Sequence, residues 1–191
     1  MPRPDKQIFY EMSFKDINKN SYNEVIDICC GKMNVYKKIN NLKNYTGIDF
    51  DKEMIEIGIK KYPEVTAIID KFENYNTDKK YDLAICFQTI GMNKDFNHKA
   101  VISFLEKIKN LISDRGYLAI NFGPLVLENA KQDVLSYINE NFKILNKYSY
   151  GGWYNRYSYL IFKIIYYLIK LFPFIKSSKV NQHIYFFLQK K

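Results

Sequence analysis

Short apolar runs alternate along the chain with segments whose apolar positions recur at helical spacing. Asn23–Cys30 (NEVIDICC), Tyr45–Phe50 (YTGIDF), Glu64–Asp70 (EVTAIID), Tyr81–Phe87 (YDLAICF) and Gly116–Phe122 (GYLAINF) read as buried strands. A short polar helix is expected after the first of them. Asp51–Lys61 is predicted as a helix, with Asp51 placed as its N-cap and Pro63 just beyond its end. His98–Ile112 sets Val101, Ile102, Leu105, Ile108 and Leu111 on one stripe, and Glu128–Asn141 is a third helix. Strands that are apolar throughout, spaced by helices, imply an α/β fold with a parallel sheet covered on both faces. Phe142–Tyr150 reads as a sixth strand and His183–Gln189 as the last, with a very apolar stretch between them. A chain of 191 residues fits one domain.

In open parallel sheets, ligands bind beyond the carboxyl ends of the strands. The first strand ends at Asp27-Ile28-Cys29-Cys30-Gly31, the second at Asp49, the third at Asp70 and the fourth at Phe87-Gln88. A dinucleotide site would want several glycines to bring backbone amides onto a pyrophosphate. This loop has one Gly and two nearby acids, and carboxylates repel a pyrophosphate. They suit a phosphate-free nucleoside whose other end is cationic, a description that S-adenosylmethionine meets.

The blocks VIDICCGKM, GIDFDKEMI, AIIDKF, YDLAICFQ and LISDRGYLAINFG stand in order at family-like spacing. Together they resemble the class I S-adenosylmethionine-dependent methyltransferases, over roughly Ser21 to Gly123. The resemblance implies a Rossmann-like three-layer sandwich, with a mostly parallel seven-stranded sheet and an antiparallel last strand. Residues 1–191 would form a single domain, with 1–20 as a helical lid and 151–180 as a hydrophobic insertion between the last two strands. It also implies site roles. Asp27 would meet the methionine part of the cofactor. Gly31 would be the central Gly of the loop, with Cys29 in the place of another loop Gly. Asp49, followed by Phe50, would take both ribose hydroxyls. Asp51 is better placed to cap the helix, which would leave Asp49 free. Asp70 would receive the adenine amino group, with Lys71 and Phe72 beside the ring. Phe87 and Gln88 would lie where cofactor and acceptor meet.

Two departures stand out. Met33 occupies a position where the family has Gly, and a side chain there costs about 1 kcal/mol if φ is positive. Gly91 and Met92 stand where an acid and a His are common. Methyl transfer from a sulfonium relies mainly on positioning and desolvation. A hydroxyl acceptor would still benefit from a base, and His98 is the candidate.

The formal net charge of +9 favours anionic partners, although the lysines are spread along the chain. Cys29, Cys30 and Cys86 form neither a disulfide framework nor a zinc pattern. Together with an N-terminus lacking an apolar signal segment, they point to a cytoplasmic protein. Residues 156–172 (RYSYLIFKIIYYLIKLF) put Arg156, Lys163 and Lys170 on one helical face and isoleucines and leucines on the other. That pattern describes a helix lying on an anionic membrane surface. Packing on its own domain or on a second copy, as in a homodimer, is the alternative. Trp153, Tyr154 and Arg156 at the start of the insertion, and Tyr10 with Phe14 in the lid, are candidates for the acceptor pocket.

The expected activity is methyl transfer to a small-molecule or lipid-linked sugar hydroxyl at a membrane surface. Small methyltransferases with a greasy basic insertion resemble those of bacterial surface-polysaccharide biosynthesis. The rivals are a nucleic-acid methyltransferase and a non-catalytic binding protein on the same fold. No nucleic-acid partner is expected, because the chain lacks a clustered basic stripe and the Asn-Pro-Pro-Tyr-type tetrapeptide of base methylation.

Overall fold

The computed structural model describes residues 4–90, 98–150 and 183–191. It has helix α1 (Pro4–Ile17) followed by strands β1 (Tyr22–Ile28) and β2 (Leu42–Asp49). Then come α2 (Lys52–Lys61), β3 (Thr66–Ile69), β4 (Tyr81–Ile90), α3 (His98–Leu111) and β5 (Ile112–Phe122). The chain continues through α4 (Pro124–Asn129), α5 (Lys131–Asn141), β6 (Phe142–Tyr150) and β7 (His183–Lys190). One seven-stranded sheet runs in the order β3-β2-β1-β4-β5-β7-β6. Strands β1 to β5 pair in parallel, and β7 is antiparallel to both its neighbours, as expected.

Strand alternation divides the core between the two faces. Ile26, Ile28, Ala84 and Cys86 pack with α3, α4 and α5 on one side. Val25, Leu83, Ile85 and Phe87 pack with α1 and α2 on the other. Central strands covered on both faces have no solvent side to mark with polar residues, which is why they read as unbroken apolar runs.

Several boundaries differ from expectation. The segment after β1 forms no α-helix; it turns through a 3₁₀ helix at Tyr36–Lys38. The helix expected over Glu128–Asn141 is two helices, broken at Ala130. β3 stops at Ile69, so Asp70 follows the strand instead of ending it. β2 and β5 start earlier than expected: Leu42 already pairs with Tyr22, and Ile112, expected at the end of the preceding helix, pairs with Tyr81.

Candidate functional site

The first βα loop leaves β1 at Ile28 and turns sharply. Three of its residues have left-handed backbones: Cys29 at φ 57, Gly31 at φ 50 and Met33 at φ 55. Two of the three carry side chains, each at a cost of order 1 kcal/mol. The conformation is held by hydrogen bonds. Cys30 N–H donates to the Ile48 carbonyl at 3.1 Å, and Met33 N–H to the Cys30 carbonyl at 2.9 Å. A Cβ built on Gly31 would meet no heavy atom within 4 Å, so this backbone borders open space.

Met33 points away from that space. Its side chain is fully buried between β2 and α2. It lies where a Cβ on Gly47 would sit 3.3 Å from its Cγ, and one on Gly58 would sit 3.0 Å from its Cε. The thioether that replaces the loop Gly therefore fills a slot opened by two glycines elsewhere. A glycine inside a strand and another inside a helix mark such close approach, and these signals were readable in the sequence. Gly58→Ala should cost about 1 kcal/mol of stability, although Ala favours a helix interior by about 1 kcal/mol. In a Met33→Ala background the same change should stabilise. Urea unfolding of the four proteins checks the reversal of sign.

Asp49 closes the loop from β2. One carboxylate oxygen accepts the Gly31 N–H at 2.8 Å, the other the Asp51 N–H at 3.0 Å. Asp51 caps α2 through the Met54 N–H at 3.1 Å. The cap is as expected, but Asp49 is engaged with backbone instead of standing free. A carboxylate has about four acceptor positions, so two remain for a ligand. Phe50, next in the chain, is 68% exposed.

Asp27 lies one turn deeper, on the α1 side of β1. Its carboxylate is buried and accepts the Tyr45 hydroxyl at 2.5 Å. Burial pushes it up to about 7, against the pull of the Tyr45 bond, and the Asp49 charge adds to the rise. Tyr45 was not anticipated, because nothing in a strand pattern tells which tyrosine faces a carboxylate. Tyr10 is half-buried, and its hydroxyl is raised by burial and by Asp27. Its ring lies 6.3 Å from that of Phe87, and Phe9 meets Phe87 edge-on at 4.8 Å. α1 thus covers the end of β4. It is pinned at its far end, where Asn18 donates to the Lys38 carbonyl and accepts the Asn40 N–H.

Asp70 accepts its own neighbour's N–H, from Lys71 at 2.7 Å, and the Asn74 amide at 2.9 Å. Its own N–H reaches the Asp49 carbonyl at 3.1 Å, which ties the second and third strand ends together. Lys71 is exposed, whereas Phe72 is buried against Phe104 in the core. Phe72 therefore supports the site from beneath and offers no open ring face. Burial raises the Cys29 thiol to about 11, so it stays protonated at neutral pH and is a poor nucleophile. His98 opens α3. Its side chain, and Trp153, Tyr154 and Arg156, lie outside the described residues.

Residues 19–161 match a family model described as a methyltransferase domain. A putative methyltransferase of Invertebrate iridescent virus 6 is 28% identical over 141 residues, covering 69% of this chain and 53% of the viral protein. The chain thus spans about half the length of that relative. The N-methyltransferase NodS from Bradyrhizobium japonicum, solved with S-adenosyl-L-homocysteine, aligns over 99% of this chain and 89% of its own, at TM-score 0.71 and 10% identity. Magnesium protoporphyrin IX methyltransferase from Synechocystis, solved with bound S-adenosylmethionine, aligns over 97% and 77%, at TM-score 0.64 and 12% identity. An rRNA methylase from Streptococcus thermophilus aligns over 100% and 98%, at 0.57 and 16%. The family match, the sheet order and the strand-tip carboxylates agree: this chain belongs to the methyltransferase domain family and has the class I S-adenosylmethionine-dependent methyltransferase fold.

Proposed function

We propose that the protein binds S-adenosylmethionine across the ends of β1, β2 and β4 and transfers its methyl group to a hydroxyl acceptor. The observation that carries this reading is the pair of strand-tip carboxylates, Asp49, which accepts the N–H of the open backbone at Gly31, and Asp27, which feels the Asp49 charge. The donor set fits the cofactor. Asp49 would accept the ribose hydroxyls at its two remaining positions. Asp27, buried and bonded to the neutral Tyr45 hydroxyl, would be relieved by an ammonium. Phe50 would cover the adenine with its exposed ring, and Asp70 would take the adenine amino group.

The cofactor supplies a methyl group made electrophilic by a positive sulfur. The protein's part is to fix that methyl and to exclude water. Phe87, packed under Phe9 and beside Tyr10, forms an apolar wall over the methyl side. Displacement in line needs little more than this alignment. A sugar hydroxyl would lose its proton as it attacks, and His98 is the proposed acceptor of that proton.

The acceptor reading rests on the cationic, apolar segment 156–172 inserted before β7, which suits a lipid-linked saccharide presented at an anionic membrane surface. Among the described residues, no helix is long and apolar enough to cross a membrane. The test combines methyl-labelled S-adenosylmethionine with a lipid-linked saccharide in anionic vesicles. Label in the lipid fraction and co-flotation of the protein are expected. Label that goes to added RNA and not to lipid would overturn the acceptor reading.

A further inference from the structure

β4 carries an irregularity that the proposed chemistry leaves unused. It pairs with β5 in register from Leu83↔Tyr117 to Cys86↔Ile120, and again at Ile90↔Phe122. Between these points, β4 places Phe87, Gln88 and Thr89 opposite the single residue Asn121. Extra residues on one strand bow it outward and re-aim its side chains. At the crest, Gln88 has a left-handed backbone, φ 61. Its N–H donates to the Asn121 side-chain oxygen at 2.7 Å. The Thr89 hydroxyl donates to the Phe87 carbonyl at 3.2 Å. The bulge is therefore fastened to β5 through Asn121 and braced within itself by Thr89. Beyond it the ladder resumes, with the Gly123 N–H on the Ile90 carbonyl at 2.8 Å.

Asn121 is fully buried on a central strand between two buried apolar residues, Ile120 and Phe122. An amide in such a place is unfavourable unless its polar atoms are used. Its oxygen accepts the backbone N–H of Gln88 at the crest of the bulge. Without that bond, Gln88 would relax toward extended backbone and the bulge would flatten.

We propose that Asn121 is a positioning residue, whose side-chain oxygen holds the Phe87–Thr89 bulge so that its carbonyls face the methyl-bearing end of the cofactor. This rests on the methyltransferase reading of the site. A methyl on a positive sulfur has polarised C–H bonds, and backbone oxygens are its natural partners. The demethylated product, a neutral thioether, lacks that methyl. The clamp should thus favour S-adenosylmethionine over S-adenosylhomocysteine and leave the adenosine grip at Asp49 alone.

Calorimetric titration of both compounds into wild type and Asn121→Leu tests this, with Asn121→Ser standing in if the leucine variant fails to fold. Its side chain is too short to reach Gln88. The expected result is an S-adenosylhomocysteine constant within threefold of wild type and an S-adenosylmethionine constant weakened tenfold or more. Hydrogen exchange at the Gln88 amide should quicken in parallel. Equal weakening of both compounds, or no change in either, would overturn the positioning role alone. Failure of wild type to bind either compound would instead remove the methyltransferase reading, and this proposal with it.

Discussion

Asp27→Asn should make the free protein more stable and the cofactor site far weaker. The carboxyl is raised from its ordinary value near 3.8 to about 7, chiefly by burial. The folded protein therefore keeps a proton that the unfolded chain releases between roughly pH 4 and pH 7. This group's contribution to stability is greatest below pH 4, falls through that window, and levels off once the folded carboxyl ionises. Asparagine has the same shape, still accepts the Tyr45 hydroxyl and has no charge to bury. Its advantage should be small at pH 4 and on the order of 4 kcal/mol near pH 8. Thermal unfolding across this range checks the slope. The same variant loses the buried anion opposite the proposed ammonium, which should weaken S-adenosylmethionine by about a hundredfold. In wild type, affinity should rise with pH up to the Asp27 transition, because the cation selects the ionised form. A protein that gains stability while losing its ligand has been holding an unfavourable charge for binding.

Asp49→Ala is expected to act in the opposite sense on stability. The carboxylate satisfies two backbone amides, Gly31 and Asp51, so its loss leaves both unpaired and loosens the loop at its left-handed residues. A cost of about 1–3 kcal/mol follows from that alone. Loss of the ribose contacts adds a fall in affinity of about a hundredfold or more, since two charge-assisted bonds go together. Asp49→Asn separates the two effects. Its one side-chain oxygen can still accept the Gly31 N–H, but its NH2 faces the Asp51 N–H, so the stability loss should be smaller than in Asp49→Ala while ribose binding still suffers.

Much of this was legible in the sequence because the sheet is buried on both faces. Apolar runs mark the strands, and the acids at their ends mark the candidate site. The Asp51 cap was readable from position alone and is present. The segment after β1 forms no polar α-helix, because hydrogen bonds from the Met33, Tyr36 and Lys38 amides, each to the carbonyl three residues earlier, wind it into successive tight turns. Met33 looked like an obstacle because a strand pattern does not say that Gly47 and Gly58 face it. Phe72 looked available for stacking, but the turn after Asp70 carries it inward against Phe104. Tyr45 and Asn121 were invisible for one reason: each matters through a partner far away in sequence, Asp27 and Gln88, and only the register of the sheet brings them together.

The central claim is that this loop grips an adenosine cofactor without phosphates. Calorimetric titration of the wild-type protein near pH 8, with S-adenosylmethionine and NAD in parallel, tests it most directly. The expected result is a micromolar constant for S-adenosylmethionine and no measurable heat with NAD, whose pyrophosphate would face two carboxylates. Tighter binding of NAD, or no binding of S-adenosylmethionine, would contradict it.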